Sequence, residues 1–182
     1  MSSYFCIISG KGMEKKKVEY TDYLNETIKV MNDCGLLLVS QDKNSKPNVM
    51  AIGWGTIGII WGKPVFVVLV RLSRYTYGLI EQTGDFTVNV PSKEMADIVE
   101  YCGEVSGRNH DKFFEKGITA IPGKIVKSPI IKECPINYEC KVVHKNDVLK
   151  KELTEEIKKG YYADDDYHRV YFGEILYVHG GK

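Results

Sequence analysis

Short apolar runs rich in Val, Ile and Tyr, each stopped by Gly, Pro, Asn or Asp, dominate the chain and predict strands. They cover Gly35–Gln41, Asn48–Thr56, Pro64–Arg71, Asp85–Val90, Asn137–Val143 and Arg169–Val178. The first two flank Asp42-Lys43-Asn44-Ser45-Lys46-Pro47, whose residues favour tight turns and read as a hairpin connection. Along Asn48–Thr56 a strand would place Asn48, Met50, Ile52, Trp54 and Thr56 on one face. Helices fit between strands at Asp22–Asp33, Ser73–Thr83 and Lys93–Tyr101, each with a glycine close behind, and two of them start at a Ser or Asp able to cap the first turn. Strand runs with a few inserted helices predict a mainly β (α+β) barrel with helices packed outside, not an alternating βαβ sheet. Residues 150–166 open with Leu149, Leu153 and Ile157 at four-residue spacing and end in Asp164–Asp166. They read as a part-helical insertion before the last strand, its acidic run a solvated loop.

A chain of 182 residues is expected to form one domain over 1–182 and to bury enough apolar surface to fold without disulfides or metals. Its 25 basic and 24 acidic residues nearly cancel, which removes the net field that would gather nucleic acid or an anionic membrane. An anion must therefore be held by a local site. Five scattered cysteines (Cys6, Cys34, Cys102, Cys134, Cys140) form no C-x-x-C pair and read as reduced thiols of a cytoplasmic protein. The apolar run Tyr4–Ile8 precedes the basic run Lys15–Lys17, the reverse of an export signal, and Val65–Val70 is too short to span a bilayer.

Two segments carry anion-binding chemistry. Arg71-Leu72-Ser73-Arg74-Tyr75-Thr76 sits where a strand stops and a helix begins, and helix starts present free N–H groups and partial positive charge. The alternative is a capped helix with solvated arginines. Ser106-Gly107-Arg108-Asn109-His110-Asp111-Lys112 combines a glycine turn with two cations four apart, which one helical turn would bring to one face; otherwise it is a solvated loop. In the Asn48–Thr56 strand, Gly53 and Gly55 leave one face low, open to a flat ring or to another stretch of backbone. His110, His144 and His179 have no nucleophile or carboxylate at motif spacing, the cysteines have no neighbouring base, and neither H-E-x-x-H nor a strand-borne G-x-G-x-x-G is present.

These blocks, taken in order, resemble the flavin reductase-like family of FMN-binding split barrels. The resemblance runs from about Lys46 to Val178 through Lys46-Pro47-Asn48-Val49-Met50, Arg74-Tyr75-Thr76-Tyr77 with Asp85-Phe86-Thr87-Val88-Asn89-Val90-Pro91, Ser106-Gly107-Arg108 with Asp111-Lys112-Phe113, and His168 before Gly173-Glu174. It implies an FMN site at a homodimer interface. Asn48, Trp54 and Thr56 would follow the isoalloxazine and ribityl chain; Arg71, Ser73, Thr76 and Lys112 would hold the phosphate. Asn89 would fix the turn beneath the flavin, His168 would approach from the last strand, and Arg108 would tie down its own loop. The first 20 residues and the 150–166 insertion depart from the family pattern.

The resemblance implies an oxidoreductase in which NAD(P)H or another donor reduces FMN for an acceptor. The alternatives are a flavoredoxin-type electron carrier without a dedicated organic substrate, and a ligand-binding barrel that has lost redox function. A flavin performs hydride and electron transfer itself, so the family chemistry needs no acid–base pair from the protein.

Overall fold

A computed structural model describes residues 15–181. Cys6 and the Tyr4–Ile8 run lie outside the described residues. The strands are β1 (Lys16–Lys17), β2 (Leu36–Gln41), β3 (Pro47–Ile52), β4 (Gly55–Ile60), β5 (Lys63–Arg71), β6 (Asp85–Val90), β7 (Ala120–Ile121), β8 (Ile130–Ile131), β9 (Ile136–Asp147) and β10 (His168–Gly180). The helices are α1 (Leu24–Asp33), α2 (Tyr75–Thr83), α3 (Ala96–Glu104), α4 (Lys112–Lys116) and α5 (Glu155–Tyr161), with 3₁₀ turns at Lys93–Met95 and Lys150–Glu152.

The main sheet runs β3-β2-β6-β9-β10-β5-β4, all antiparallel, with β1 on the end of β10. β3 and β4 are consecutive in sequence yet lie at opposite ends of that path. Only Gly53 and Trp54 join them, and three Cα steps reach at most about 11 Å. The sheet must therefore roll until its two ends meet. No ladder joins those ends, so the barrel is split along a seam between β3 and β4. The expected single strand Asn48–Thr56 is thus two strands broken at Gly53–Trp54, because the chain crosses the seam there and changes hydrogen-bonding partner from β2 to β5.

Alternation sorts the side chains between two cores. Leu36, Leu38, Phe66, Val68, Phe86, Val88, Tyr138 and Tyr171 fill the barrel. Leu37, Val39 and Val49 face outward under α3, where Met95, Val99 and Cys102 cover them. Being buried on both sides explains why β2 reads as an unbroken apolar run. Strand β6 is buried throughout but polar on its outer face. There Asp85 accepts from the N–H groups of Lys127 and Ser128, Thr87 donates to the Pro129 carbonyl, and Asn89 accepts from Ile131 N–H and Asn137. These bonds strap the 127–131 segment across the sheet. Gly173 is forced by packing: a Cβ there would come within 2.8 Å of Cys140 Cβ and 2.5 Å of the Phe86 ring.

Candidate functional site

The cavity opens on the seam and has a volume of about 300 Å³, at the low end of the ~300–1,000 Å³ typical of ligand pockets. β3 and the Gly53–Trp54 link form one wall. The end of β5, the start of α2, the α3–α4 loop and the first residue of β10 supply the rest. Asn48, Trp54, Arg71, Ser73, Thr76, Lys112 and His168 all line it, although they come from segments up to 120 residues apart.

Thr56 and Asn89 do not line it. Thr56 lies beyond the seam on β4 and pairs with Val67. Asn89 is fully buried on β6, and its amide is already engaged by Leu37, Thr87, Ile131 and Asn137. Residues missing from the sequence-based set include Met50, Arg74, Tyr75, Cys102, Gly103, Ser106, Gly107 and Arg108, of which Arg74 matters most. The signal for it was the helix start, where Ser73 looked like the cap. The cap position is Arg74 itself, with no side-chain cap bond, so the first N–H groups of α2 are left for another acceptor.

Ser73 is diverted because its hydroxyl donates to Asp166 Oδ2 at 2.6 Å. Arg71 is diverted too: it donates to the carbonyls of Asp166 (2.6 Å) and Tyr161 (2.8 Å) and pairs with Asp164. The acidic end of the insertion is therefore not a freely solvated loop but a strap latched to the cavity rim by an arginine and a serine. Arg108 lies outside α4, whose cap is Asp111. It donates to the Ser73 carbonyl and lies over the Tyr75 ring, so it and Lys112 do not share a helical face.

Lys112 is 4% exposed. Its ammonium donates to the carbonyls of Val49 and Cys102, both at 2.9 Å, tying β3 to α3. Among the described residues it has no carboxylate partner, and no Asp or Glu lines the cavity. Burial lowers its pKa, and the nearby Arg74 charge lowers it further. Lys112 and Arg74 thus line the cavity without a carboxylate partner beside the open start of α2. Thr76 is also buried and accepts from the Asn48 amide at 2.8 Å, which leaves its own hydroxyl proton to give.

The opposite side of the cavity is aromatic. Trp54 is 39% exposed, stands edge-on to Tyr161 at 5.1 Å and lies 5.0 Å from His168. His168 is 8% exposed, and a 2.9 Å hydrogen bond joins its Nδ1 and the Tyr162 hydroxyl. Burial and the Arg71 charge push its pKa down to about 4, so the ring is neutral at physiological pH. The described thiols with raised pKa values are not nucleophiles, and two other histidines are engaged away from the cavity. Burial pushes Cys102 up to about 11 and Cys134 up to about 12, keeping both protonated. His179 is bound to Glu139, and His110 pairs with Glu115. No cluster of metal-ligating side chains occurs among the described residues.

Comparison with known proteins agrees with this geometry. A protein of Archaeoglobus fulgidus without an assigned function is 35% identical over 136 residues, covering 75% of this chain and 67% of its own length. The flavoredoxin of Desulfovibrio vulgaris (Miyazaki F) is 30% identical with a TM-score of 0.63, over 79% of this chain and 67% of that one. The flavoredoxin of Methanosarcina acetivorans is 28% identical with a TM-score of 0.65, over 93% of this chain and 76% of that one. The chain spans about three fifths to two thirds of the length of three curated relatives it matches and about a third of a fourth. Residues 34–182 match the family described as the flavin reductase like domain, and the chain belongs to that family.

Proposed function

We propose that the seam cavity binds FMN and that the protein moves electrons through it. The observation that carries this reading is the buried Lys112 ammonium, which shares the cavity with Arg74 and the uncapped start of α2 and has no carboxylate to neutralise it. Buried charges are normally paired, and a phosphate is the group this cradle fits. Thr76 adds a hydroxyl donor, and Trp54 offers a flat wall for a ring. When bound, FMN supplies hydride and electron transfer; the protein's part is to hold the phosphate, seat the ring and limit water. Arg71 and Ser73 act indirectly in this reading, by holding the strap rather than the phosphate.

The donor is a nicotinamide nucleotide or a redox protein, and the product is reduced flavin for a second acceptor. The flavoredoxin-type carrier is the second reading, favoured by the two flavoredoxins at 28–30% identity. Mixing the FMN-loaded protein with NADH and NADPH under argon separates the two: loss of the flavin absorbance within seconds supports the reductase, and a flavin that stays oxidised with both supports the carrier. A homodimer and a cytoplasmic setting belong to the same proposal, the dimer because Trp54, Ile59 and Trp61 remain 39–62% exposed. No helix of the described residues is long and apolar enough to cross a membrane.

Gly107→Ala probes the cradle without removing a charge. A Cβ at 107 would overlap Asn48 Oδ1 and lie 2.6 Å from Asn48 Cγ, while Asn48 is itself held by Thr76. Overpacking strain of about 1–3 kcal/mol must displace either the 105–109 loop or the Asn48 amide that Thr76 holds. FMN binding is expected to weaken by roughly 5- to 150-fold, read by fluorescence titration. Wild-type affinity would show that neither the loop nor the Asn48 amide shapes the site.

A further inference from the structure

The strap from Tyr161 to Asp166 belongs to the insertion that sets this chain apart from its family pattern, yet it is latched to two residues of the cavity lining, Arg71 and Ser73. Arg71 holds it by two carbonyls, Ser73 holds it through Asp166, and the Arg71 guanidinium lies 5.4 Å from the centre of the Tyr162 ring. Tyr162 is 5% exposed and stacks on Tyr167 at 4.8 Å. Its hydroxyl has a single partner among the described residues, His168 Nδ1.

A buried hydroxyl proton must find an acceptor. If Nδ1 carried the imidazole proton, the Tyr162 proton would have no described group to go to. The hydroxyl therefore donates to Nδ1, and the one proton of the neutral ring resides on Nε2. We infer that Tyr162 is a positioning residue: it fixes His168 as the Nε2–H tautomer, which offers one neutral hydrogen-bond donor to a carbonyl oxygen of the ring bound against Trp54. The inference rests on the FMN reading for the identity of that ring, and on this structure alone for the tautomer.

The charges around the imidazole agree. Arg71 from β5 and Arg74 from the start of α2 disfavour a second proton, Asp166 from the strap favours it, and burial decides for the neutral ring. Burial likewise raises the Tyr162 pKa, which keeps its hydroxyl a donor. A neutral donor keeps its strength across physiological pH, whereas a titrating imidazole would not.

The test uses purified protein labelled with ¹⁵N at histidine, with His168→Asn to identify the His168 resonances. Wild-type protein without added flavin should show Nε2 protonated and Nδ1 bare, unchanged down to about pH 5. Tyr162→Phe, which keeps the ring packing, should yield a mixture of tautomers. It should also weaken FMN and riboflavin by the same factor, about 3- to 10-fold, since the contact is to the ring they share. A wild-type Nδ1–H form, or a spectrum unaltered in Tyr162→Phe, overturns the inference. So does full affinity of that variant for both flavins. Wild-type protein that binds neither flavin overturns the FMN reading instead, and the spectra still decide the tautomer.

Discussion

Lys112→Ala is expected to reduce the affinity for FMN relative to riboflavin by about 10- to 150-fold, because a hydrogen bond to a charged group contributes roughly 1.5–3 kcal/mol. Riboflavin has the same ring and ribityl chain but no phosphate, so it reports whatever the substitution does to the rest of the cavity. That control is needed here. The Lys112 ammonium also ties the Val49 and Cys102 carbonyls together, and its loss should lower stability by about 1–3 kcal/mol and loosen both ligands somewhat. The ratio of the two affinities isolates the phosphate. Thr76→Val should shift the ratio in the same direction by less, since it removes a neutral donor. Lys116→Ala should leave it alone, because Lys116 pairs with the exposed Asp97. Titration of each variant with both flavins measures the ratio. An unchanged ratio in Lys112→Ala would make the residue a structural strut and remove the clamp from the account.

The largest stability effect is expected far from the cavity, at Glu139→Ala, with a loss of about 3–5 kcal/mol. Glu139 is fully buried on β9 and accepts from the N–H groups of Lys124, Ile125 and Val126 and from His179 Nε2 at 2.6 Å. Its loss strands those donors and frees the loop that crosses the sheet. Burial alone would raise the carboxyl pKa, but His179 and the three N–H groups outweigh it and hold it at about 2, against an ordinary 4.5. A depressed carboxylate stabilises the fold above its unfolded pKa, and that contribution disappears as pH falls from about 4.5 through 2. Its size is about 3 kcal/mol at 1.36 kcal/mol per pKa unit. Urea unfolding at pH 7 and pH 3 checks the sign. Wild-type protein should lose stability on acidification, and Glu139→Ala should lose about 2 kcal/mol less, because it has no such term to lose and pH 3 removes only part of the wild-type one. Equal acid losses in the two proteins would contradict the assignment.

Most of the sheet was legible because burial leaves its period in the sequence. Pro64–Arg71 and Asp85–Val90 read as strands from composition and punctuation alone. The break at Gly53–Trp54 was not legible, since the alternation of Asn48–Thr56 is unbroken and only the closure of the sheet makes the chain change partner there. The cavity's anion chemistry was visible in the helix start and in the 106–112 cluster. Which residues serve it was not, because pairing decides that. Ser73 and Arg71 bear the expected groups but spend them on Asp166, Asp164 and Tyr161. Arg74, one position along, lines the cavity with Lys112 and has no carboxylate partner among the described residues. Asn89 looked like a site residue because Asp85–Val90 carries a family pattern, yet the polar face of β6 is turned to the strap segment at 127–131. Sequence spacing reveals residue types at a junction; competition among their partners appears only in three dimensions.

The central claim, that the seam between β3 and β4 is an FMN site, is tested most directly by the crystal structure of the protein grown with FMN. The account predicts a phosphate between Lys112 Nζ, the Arg74 guanidinium and the first N–H groups of α2, with the flavin ring against Trp54 and near His168. FMN bound at any other surface, or a seam that stays empty at saturating FMN, would contradict it.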